Sequence, residues 1–294
     1  MKPIKKVLIA TDFSEFAKNA LKRAIEISLK HQSSLTIMHV IYSDWIESMH
    51  NLFSKQSSHN TNFYKNMLKK IFLSEMKSDN ASIKTNFIVK TGREYVELTK
   101  AAKNKKIDMA VLGAHGRNFL DKLIFGSTAK NVIKNADYPI LLVKNKPRFS
   151  YKKILVPIDF SPVGQEAIEF ACRLFPDAEL ELLYVADLWY AQKTRDFSIR
   201  YNREAILRKK MRTNFLSKMK KVANRCNVDK SKIKFALKGG YPAPVIEEYA
   251  KKHNADLIVI GTRGQSKLQY ILLGNVTEKI LQITSKDVLV VPPK

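Results

Sequence analysis

Residues 5–14 read KKVLIATDFS, and residues 152–161 read KKILVPIDFS. The agreement returns towards the end of each half, where residues 107–113 read IDMAVLG and residues 255–261 read ADLIVIG. The first pair of segments is separated by 147 residues and the second pair by 148. Because this spacing hardly changes, the chain is interpreted as a tandem duplication of one unit.

The repeated unit has the length of a complete domain. We therefore predict two domains, residues 1–146 and residues 151–294. The segment between them is short and polar and contains Pro147, which is typical of a linker.

Each half alternates short aliphatic runs with longer amphipathic segments. The runs predicted as strands are Val7–Ala10, Leu35–Ile41, Ile83–Val89, Met109–Leu112 and Ile140–Val143, then Ile154–Ile158, Leu180–Val185, Ile233–Leu237, Leu257–Ile260 and Val288–Val291. Helices are predicted from Glu15–Leu29 and Val245–Ala250. Buried strands joined by helices favour a parallel sheet covered on both faces. The prediction is an α/β fold with two doubly wound, five-stranded, Rossmann-like domains.

Composition excludes several classes of protein. The 294 residues are 45% hydrophobic and 27% charged, as in an ordinary globular chain. No apolar run approaches the roughly 20 residues of a membrane helix, and the first residues do not resemble a signal peptide. The two cysteines, Cys172 and Cys226, have no metal-binding spacing. We expect a cytoplasmic protein without membrane partners.

The net charge of +25 raises the possibility of nucleic-acid binding. The excess is spread over both halves, which favours a solvated lysine-rich surface. The most basic stretch, residues 193–221, contains interleaved aromatic residues and is compatible with single-stranded nucleic acid. A helix with solvated cations is the favoured interpretation of the same stretch.

Polar loops follow the first and fourth predicted strands of each half. Ligands of open α/β sheets bind beyond the carboxyl ends of the strands, where the strand order reverses. Strand 1 is followed by Asp12, and strand 4 is followed by GAHG at 113–116 and GST at 126–128. If the two strands are neighbours, the carboxylate and the glycine loops converge on one crevice.

This loop pattern predicts an anion site. Glycines let main-chain amides approach a phosphate, and we expect Gly113 and Gly116 to expose such amides. Ser127 is placed to cap a helix beginning near Thr128, whose first turn favours negative charge. A carboxylate at Asp12 suits a ribose hydroxyl, an adenine edge or a bound Mg²⁺.

These residues resemble the universal stress protein domain, whose ATP-binding members carry G-x-x-G-x9-G-[ST] after strand 4 and an Asp at the end of strand 1. The resemblance implies a small nucleotide-binding fold of the adenine nucleotide alpha hydrolase-like type, typically cytosolic and dimeric through its last strand. In a tandem chain it implies a pseudo-dimer in which Ile140–Val143 and Val288–Val291 meet, with a further homodimer left open.

The resemblance assigns an ATP site to the first half, with nucleoside contacts from Asp12 and Val40. Its phosphate contacts would be Gly113, His115, Gly116, Gly126, Ser127 and Thr128. We expect His115 to lie in an exposed loop. The corresponding residues of the second half are Asp159, Val185, Gly261, Arg263, Gly264, Gly274 and Asn275. Because Asn275 replaces a hydroxyl residue and Arg263 replaces the loop histidine, the first half is the favoured site.

The sequence lacks a P-loop and the SGGxDS loop of related ATP pyrophosphatases, and no catalytic residues are assigned. The leading hypothesis is a stress-response regulator that binds ATP or another adenine nucleotide and hydrolyses it slowly at most. One alternative is a nucleotide-free interaction scaffold with vestigial or apolar-ligand pockets. A charge-driven nucleic-acid binder and an enzyme with a dedicated substrate are weaker alternatives.

Overall fold

The computed structural model describes residues 3–41, 61–76, 82–115, 126–186, 217, 229–262 and 273–293. The chain divides into two compact units, Met1–Ser150 and Tyr151–Lys294. They are called the first and second unit below. Both alternate strands with helices along the chain.

The elements of the first unit are β1 (Lys6–Ala10), α1 (Glu15–His31), β2 (Ser34–Ile41), α2 (Thr61–Glu75), β3 (Thr85–Thr91), α3 (Glu94–Lys105), β4 (Met109–Gly113), α4 (Ser127–Asn135) and β5 (Ile140–Val143). Those of the second unit are β6 (Lys153–Ile158), α5 (Pro162–Leu174), β7 (Glu179–Ala186), a 3-10 turn (Lys230–Lys232), β8 (Ile233–Gly239), α6 (Pro242–Lys252), β9 (Leu257–Gly261), α7 (Asn275–Ile283) and β10 (Asp287–Val291).

Each unit contains a parallel sheet in which the strand order reverses beside its first strand. The order is β3-β2-β1-β4-β5 in the first unit. In the second unit it is β8-β7-β6-β9-β10. The predicted fold class is confirmed. The predicted crevice required strands 1 and 4 to be neighbours, and this condition is met, since β1 pairs with β4 and β6 pairs with β9.

Burial explains why these segments become the central strands and the covering helices. All the strand residues of β5, β9 and β10 are buried, as expected for strands covered on both faces. Helix α1 buries one face through small and aliphatic side chains such as Ala20 and Leu21. No helix in the described parts of the chain is long and apolar enough to span a bilayer.

Most element boundaries differ from the predicted ones by one or two residues, and the starts of the third strand and of α6 differ most. The third strand runs from Thr85 to Thr91, later than predicted, because pairing with β2 continues to Thr91. Polar residues are tolerated there since β3 lies at the end of its unit's strand order. Helix α6 begins at Pro242, before the predicted start, because a proline in the first turn lacks only an amide that has no intrahelical acceptor.

Burial of Tyr138 predicts a pH-dependent contribution to stability. Desolvation, with a smaller effect from the charge of Asp137, raises the pKa of Tyr138 to about 12. The phenol ionises near pH 10 in the unfolded chain, so the stability it contributes is present below pH 10 and is lost as the pH rises towards 12. We expect the wild type to lose about 1 kcal/mol more than Tyr138→Phe between pH 9 and pH 11 in urea unfolding. Equal losses would contradict the prediction.

Candidate functional site

The turn after β1 is built from local side-chain hydrogen bonds. The Asp12 Oδ1 accepts from the Ser14 amide at 3.0 Å, and the Thr11 Oγ1 accepts from the Phe13 amide at 3.0 Å. The Ser14 hydroxyl caps α1 by accepting from the Ala17 amide at 3.1 Å. Phe13 adopts the left-handed conformation with φ of 67°, which an aromatic residue rarely adopts. The sequence TDFS thus holds the Asp12 carboxylate beside the N-terminus of α1.

The second unit repeats this turn. Phe160 has φ of 62°, the Asp159 Oδ1 accepts from the Ser161 amide at 2.9 Å, and the Ser161 hydroxyl caps α5 through the Gly164 amide at 3.0 Å. A costly backbone conformation kept in both copies is typical of a functional turn.

The carboxyl ends of β1, β2 and β4 lie side by side. β1 pairs with β2 and β4, and the Thr11 amide extends the first pairing by donating to the Met38 carbonyl at 2.9 Å. Asp12 follows β1, half-buried Val40 is the penultimate residue of β2, and Gly113 ends β4. The topology therefore brings these three predicted residues to one edge of the sheet.

An aromatic cluster that the sequence analysis missed stands at this edge. The Phe13 ring lies 4.5 Å from the His39 ring and 6.3 Å from the Tyr64 ring, centroid to centroid. The His39 Nδ1 is 2.8 Å from the Thr11 carbonyl oxygen, which can only accept, so Nδ1 carries the proton. The second unit has a related pair, Phe160 and Tyr184, at 5.1 Å. The repeated Phe after Asp was a signal that could have found the cluster.

Gly113 has a different role from the one expected. A Cβ on Gly113 would lie 2.9 Å from the Phe16 carbonyl carbon and 3.0 Å from the Ala17 nitrogen, so the missing side chain lets α1 approach β4. The next amide, that of Ala114, donates to the Val143 carbonyl at 2.9 Å. The expectation that Gly113 exposes main-chain amides to an anion is therefore wrong. The backbone of α1 packs against Gly113, and the following amide is bonded to β5.

The N-terminus of α4 supplies main-chain donors instead. The helix begins at Ser127 and Gly126 is its N-cap, so the expectation that Ser127 caps the helix is wrong. The first intrahelical bond runs from the Lys130 amide to the Gly126 carbonyl at 2.9 Å. The amides of residues 127–129 thus precede the first intrahelical bond and favour an anion. Ser127 is exposed and Thr128 half-buried.

His115 is not an exposed loop residue. Its side chain is buried, and its ring contacts Phe16 edge-on at 4.9 Å between centroids. His115 is buried because its imidazole, directly after β4, packs against the Phe16 ring of α1. Gly116 lies outside the described residues.

The corresponding edge of the second unit is arranged similarly but carries different side chains. Gly274 is the N-cap of α7, and Asn275 is its first residue. The buried Thr277 hydroxyl donates to the Gly261 carbonyl at 2.7 Å, whereas the matching residue of the first unit is Ala129. Val185 is the penultimate residue of β7. Arg263 and Gly264 lie outside the described residues.

Other features of the sequence do not join this site. No group of three potential metal ligands occurs among the residues that the structure describes. Cys172 is buried, in agreement with its interpretation as a small apolar residue. The basic stretch 193–221 falls outside the described ranges, apart from Ser217.

Comparisons with known proteins agree with this architecture. A universal stress protein of Methanocaldococcus jannaschii is 38% identical over 144 residues, covering 48% of this chain and 82% of that protein. The universal stress protein E homolog of Haemophilus influenzae is 23% identical over 219 residues, covering 70% and 69%. The crystal structure of a universal stress protein from Archaeoglobus fulgidus superposes with a TM-score of 0.65 at 19% identity, covering 98% of both chains.

The duplication is also found at the level of the family. The sequence model of the universal stress protein family matches residues 3–144 and matches again at residues 150–292. Each match contains one copy of both repeated segments from which the duplication was inferred. The chain belongs to the universal stress protein family and contains two of its domains.

Proposed function

We propose that this chain is a cytoplasmic stress-response regulator that binds ATP or another adenine nucleotide, mainly in its first unit. The observation that supports this most strongly is the adjacency of β1 and β4 at the reversal of strand order. It sets the Asp12 turn and the N-terminus of α4 at the same edge of the sheet. A carboxylate suits the hydroxyls of a ribose, and helix amides suit phosphates.

Membership of the family agrees with this proposal. One solved universal stress protein is described as a complex with cAMP; it is 18% identical with a TM-score of 0.37 and covers 48% of this chain. The cAMP belongs to that protein, and the proposal for this chain rests on its own site.

The nucleotide would lie across the edge formed by β1, β2 and β4. Asp12 would accept from the nucleoside, Val40 would offer main-chain contacts to the base, and the amides at Ser127 and Thr128 would hold phosphates. Gly116, Gly126 and His115 stay predicted members of the site. Mg²⁺ would enter with the phosphates, whose oxygens are the kind of ligand that it prefers.

The role proposed for this site is regulatory. The crevice residues that the structure describes suggest no nucleophile paired with a general base, so hydrolysis is expected to be slow at most. The second unit is expected to bind more weakly because Asn275 stands at the position of Ser127. Pairing of the last strands of the two units stays a prediction.

The experiment is a titration of labelled ATP into the full chain and its Asp12→Asn variant. Asparagine keeps an Oδ1 acceptor for the Ser14 amide, so the turn is preserved while the charge is removed. A charge-assisted hydrogen bond contributes about 1.5–3 kcal/mol, so affinity is expected to fall at least about tenfold.

Asp159→Asn is the matched control, because Asp159 forms the same turn in the second unit. We expect it to change the ATP affinity of the site in the first unit by less than about twofold. Absence of ATP binding by the wild type, or equal affinity of Asp12→Asn and wild type, would refute the proposal.

A further inference from the structure

A cavity of about 320 Å³ opens at the amino-terminal edge of the second unit's sheet, away from the carboxyl-terminal edge. It lies where β6, β7 and β8 begin and where α6 ends. Its polar lining consists of Lys153, Glu179, Glu181, Lys234, Tyr249 and His253. Leu155 and Ala255 add apolar surface. This volume is at the small end of the range of ligand pockets, roughly 300–1,000 Å³.

The two carboxylates of the cavity are held in place by different partners. The Lys234 Nζ is 2.7 Å from the Glu179 Oε1. The Tyr249 hydroxyl donates to the Glu181 Oε1, and the His253 Nδ1 is 3.5 Å from the Glu181 Oε2. Burial raises the pKa of Tyr249, and Glu181 adds to the effect, so the phenol is a neutral donor.

The Glu181 carboxylate and the Lys234 ammonium can both form further hydrogen bonds. A carboxylate offers about four acceptor positions and an ammonium offers three donors. Glu181 keeps its side chain 20% exposed and Lys234 keeps its side chain 58% exposed. A ligand in the cavity therefore finds an acceptor at Glu181 and a donor at Lys234.

The first unit provides an internal comparison. Lys153 pairs with Glu179 in the second unit, and the equivalent pair in the first unit is Lys6 and Ser34. Likewise, Glu181 pairs with Lys234, and the equivalent pair in the first unit is Thr36 and Asn86. By the repeat spacing, the counterparts of Tyr249 and His253 are Ala101 and Lys105. The same fold thus forms without either carboxylate, the phenol or the imidazole, so this polar set is not needed to build the domain.

The charges of the cavity select the class of ligand. An anion would face two carboxylates, and a cation would face Lys153 and Lys234 in a chain of net charge +25. A molecule with both an ammonium and a carboxylate satisfies both sets of groups. We propose that this cavity is a binding site for a free amino acid, with its ammonium on Glu181 and its carboxylate on Lys234.

The test is thermal unfolding of the full chain with each standard amino acid in turn at millimolar concentration. At least one is expected to raise Tm by about 2 °C or more, because it binds only the folded state. Its N-acetyl derivative, which lacks the ammonium, and its amide, which lacks the carboxylate, are expected to leave Tm unchanged. No stabilisation by any amino acid, or equal stabilisation by either derivative, would overturn the proposal.

Variants tie the effect to this cavity. Glu181→Gln keeps an acceptor for the Tyr249 hydroxyl but removes the charge. We expect it to lower the affinity for the amino acid, measured by calorimetry, at least about tenfold. Asn86→Gln, at the matching position of Lys234 in the first unit, is the control and is expected to bind as the wild type does. Unchanged affinity in Glu181→Gln, with its fold verified by circular dichroism, would contradict the assignment. ATP affinity is expected to stay unchanged in Glu181→Gln, so failure here is distinct from failure of the nucleotide proposal.

Discussion

Ser127→Asp is expected to weaken ATP binding strongly while leaving the protein at least as stable as the wild type. Ser127 is exposed and is the first residue of α4. A carboxylate in the first turn stabilises a helix by about 0.3–1 kcal/mol, because it faces the positive end of the helix dipole. The same charge repels phosphates bound at those amides by roughly 4 kcal/mol at 4 Å and an effective dielectric constant of 20. Affinity should therefore fall by at least about a hundredfold.

The two effects have opposite signs, which separates a lost ligand site from a damaged fold. Affinity is measured by titration with labelled ATP, and stability is measured by urea unfolding. Asn275→Asp, at the start of α7, is the matched control. It should raise stability without lowering the ATP affinity of the site in the first unit. Retention of ATP affinity in Ser127→Asp would show that the phosphates are bound elsewhere.

Gly113→Val is expected to lower the free energy of unfolding by about 3 kcal/mol or more. The Cβ would lie 2.9 Å from the Phe16 carbonyl carbon and 3.1 Å from the Phe16 carbonyl oxygen. These are main-chain atoms of α1, which cannot rotate away as a side chain can. Overpacking of this kind costs about 1–3 kcal/mol, and the two further methyl groups of valine add to it. Urea unfolding measures the change.

Gly126→Ala is the companion control for Gly113→Val. Its Cβ would be 3.3 Å from the Ala114 carbonyl oxygen, and Gly126 has φ of −59°, which alanine adopts readily. We expect a loss below about 1 kcal/mol. If Gly113→Val were as mild as Gly126→Ala, close packing of α1 on β4 would not be the reason for a glycine at the end of β4.

Much of the fold could be predicted because its determinants are local and occur twice. Aliphatic runs with short turns specify strands, and the repeat shows where one unit ends and the next begins. The TDFS turn carries its own hydrogen bonds, so Asp12 could be assigned to the start of a helix from the sequence. Adjacency of strands 1 and 4 was only a condition of the predicted crevice, and the strand pairing of the structure meets it.

The roles of individual side chains near the site depended on contacts across the sheet. The sequence predicted Gly113 to be an anion-binding glycine. In the structure a glycine is needed there because the backbone of Phe16, almost a hundred residues earlier in the chain, leaves no room for a Cβ. The sequence predicted an exposed His115, whereas its ring is buried against Phe16 of α1. Periodicity reports which face of an element is apolar, but it carries no information on which distant segment covers that face.

The sequence alone therefore determined the duplicated α/β architecture and the residue types at the strand ends, because both depend on short-range pattern. Only the tertiary structure decided which glycine serves packing, which amides begin α4 and which charges share the cavity at the start of β7. Those properties depend on strand register and helix docking, where neighbours in space are far apart along the chain.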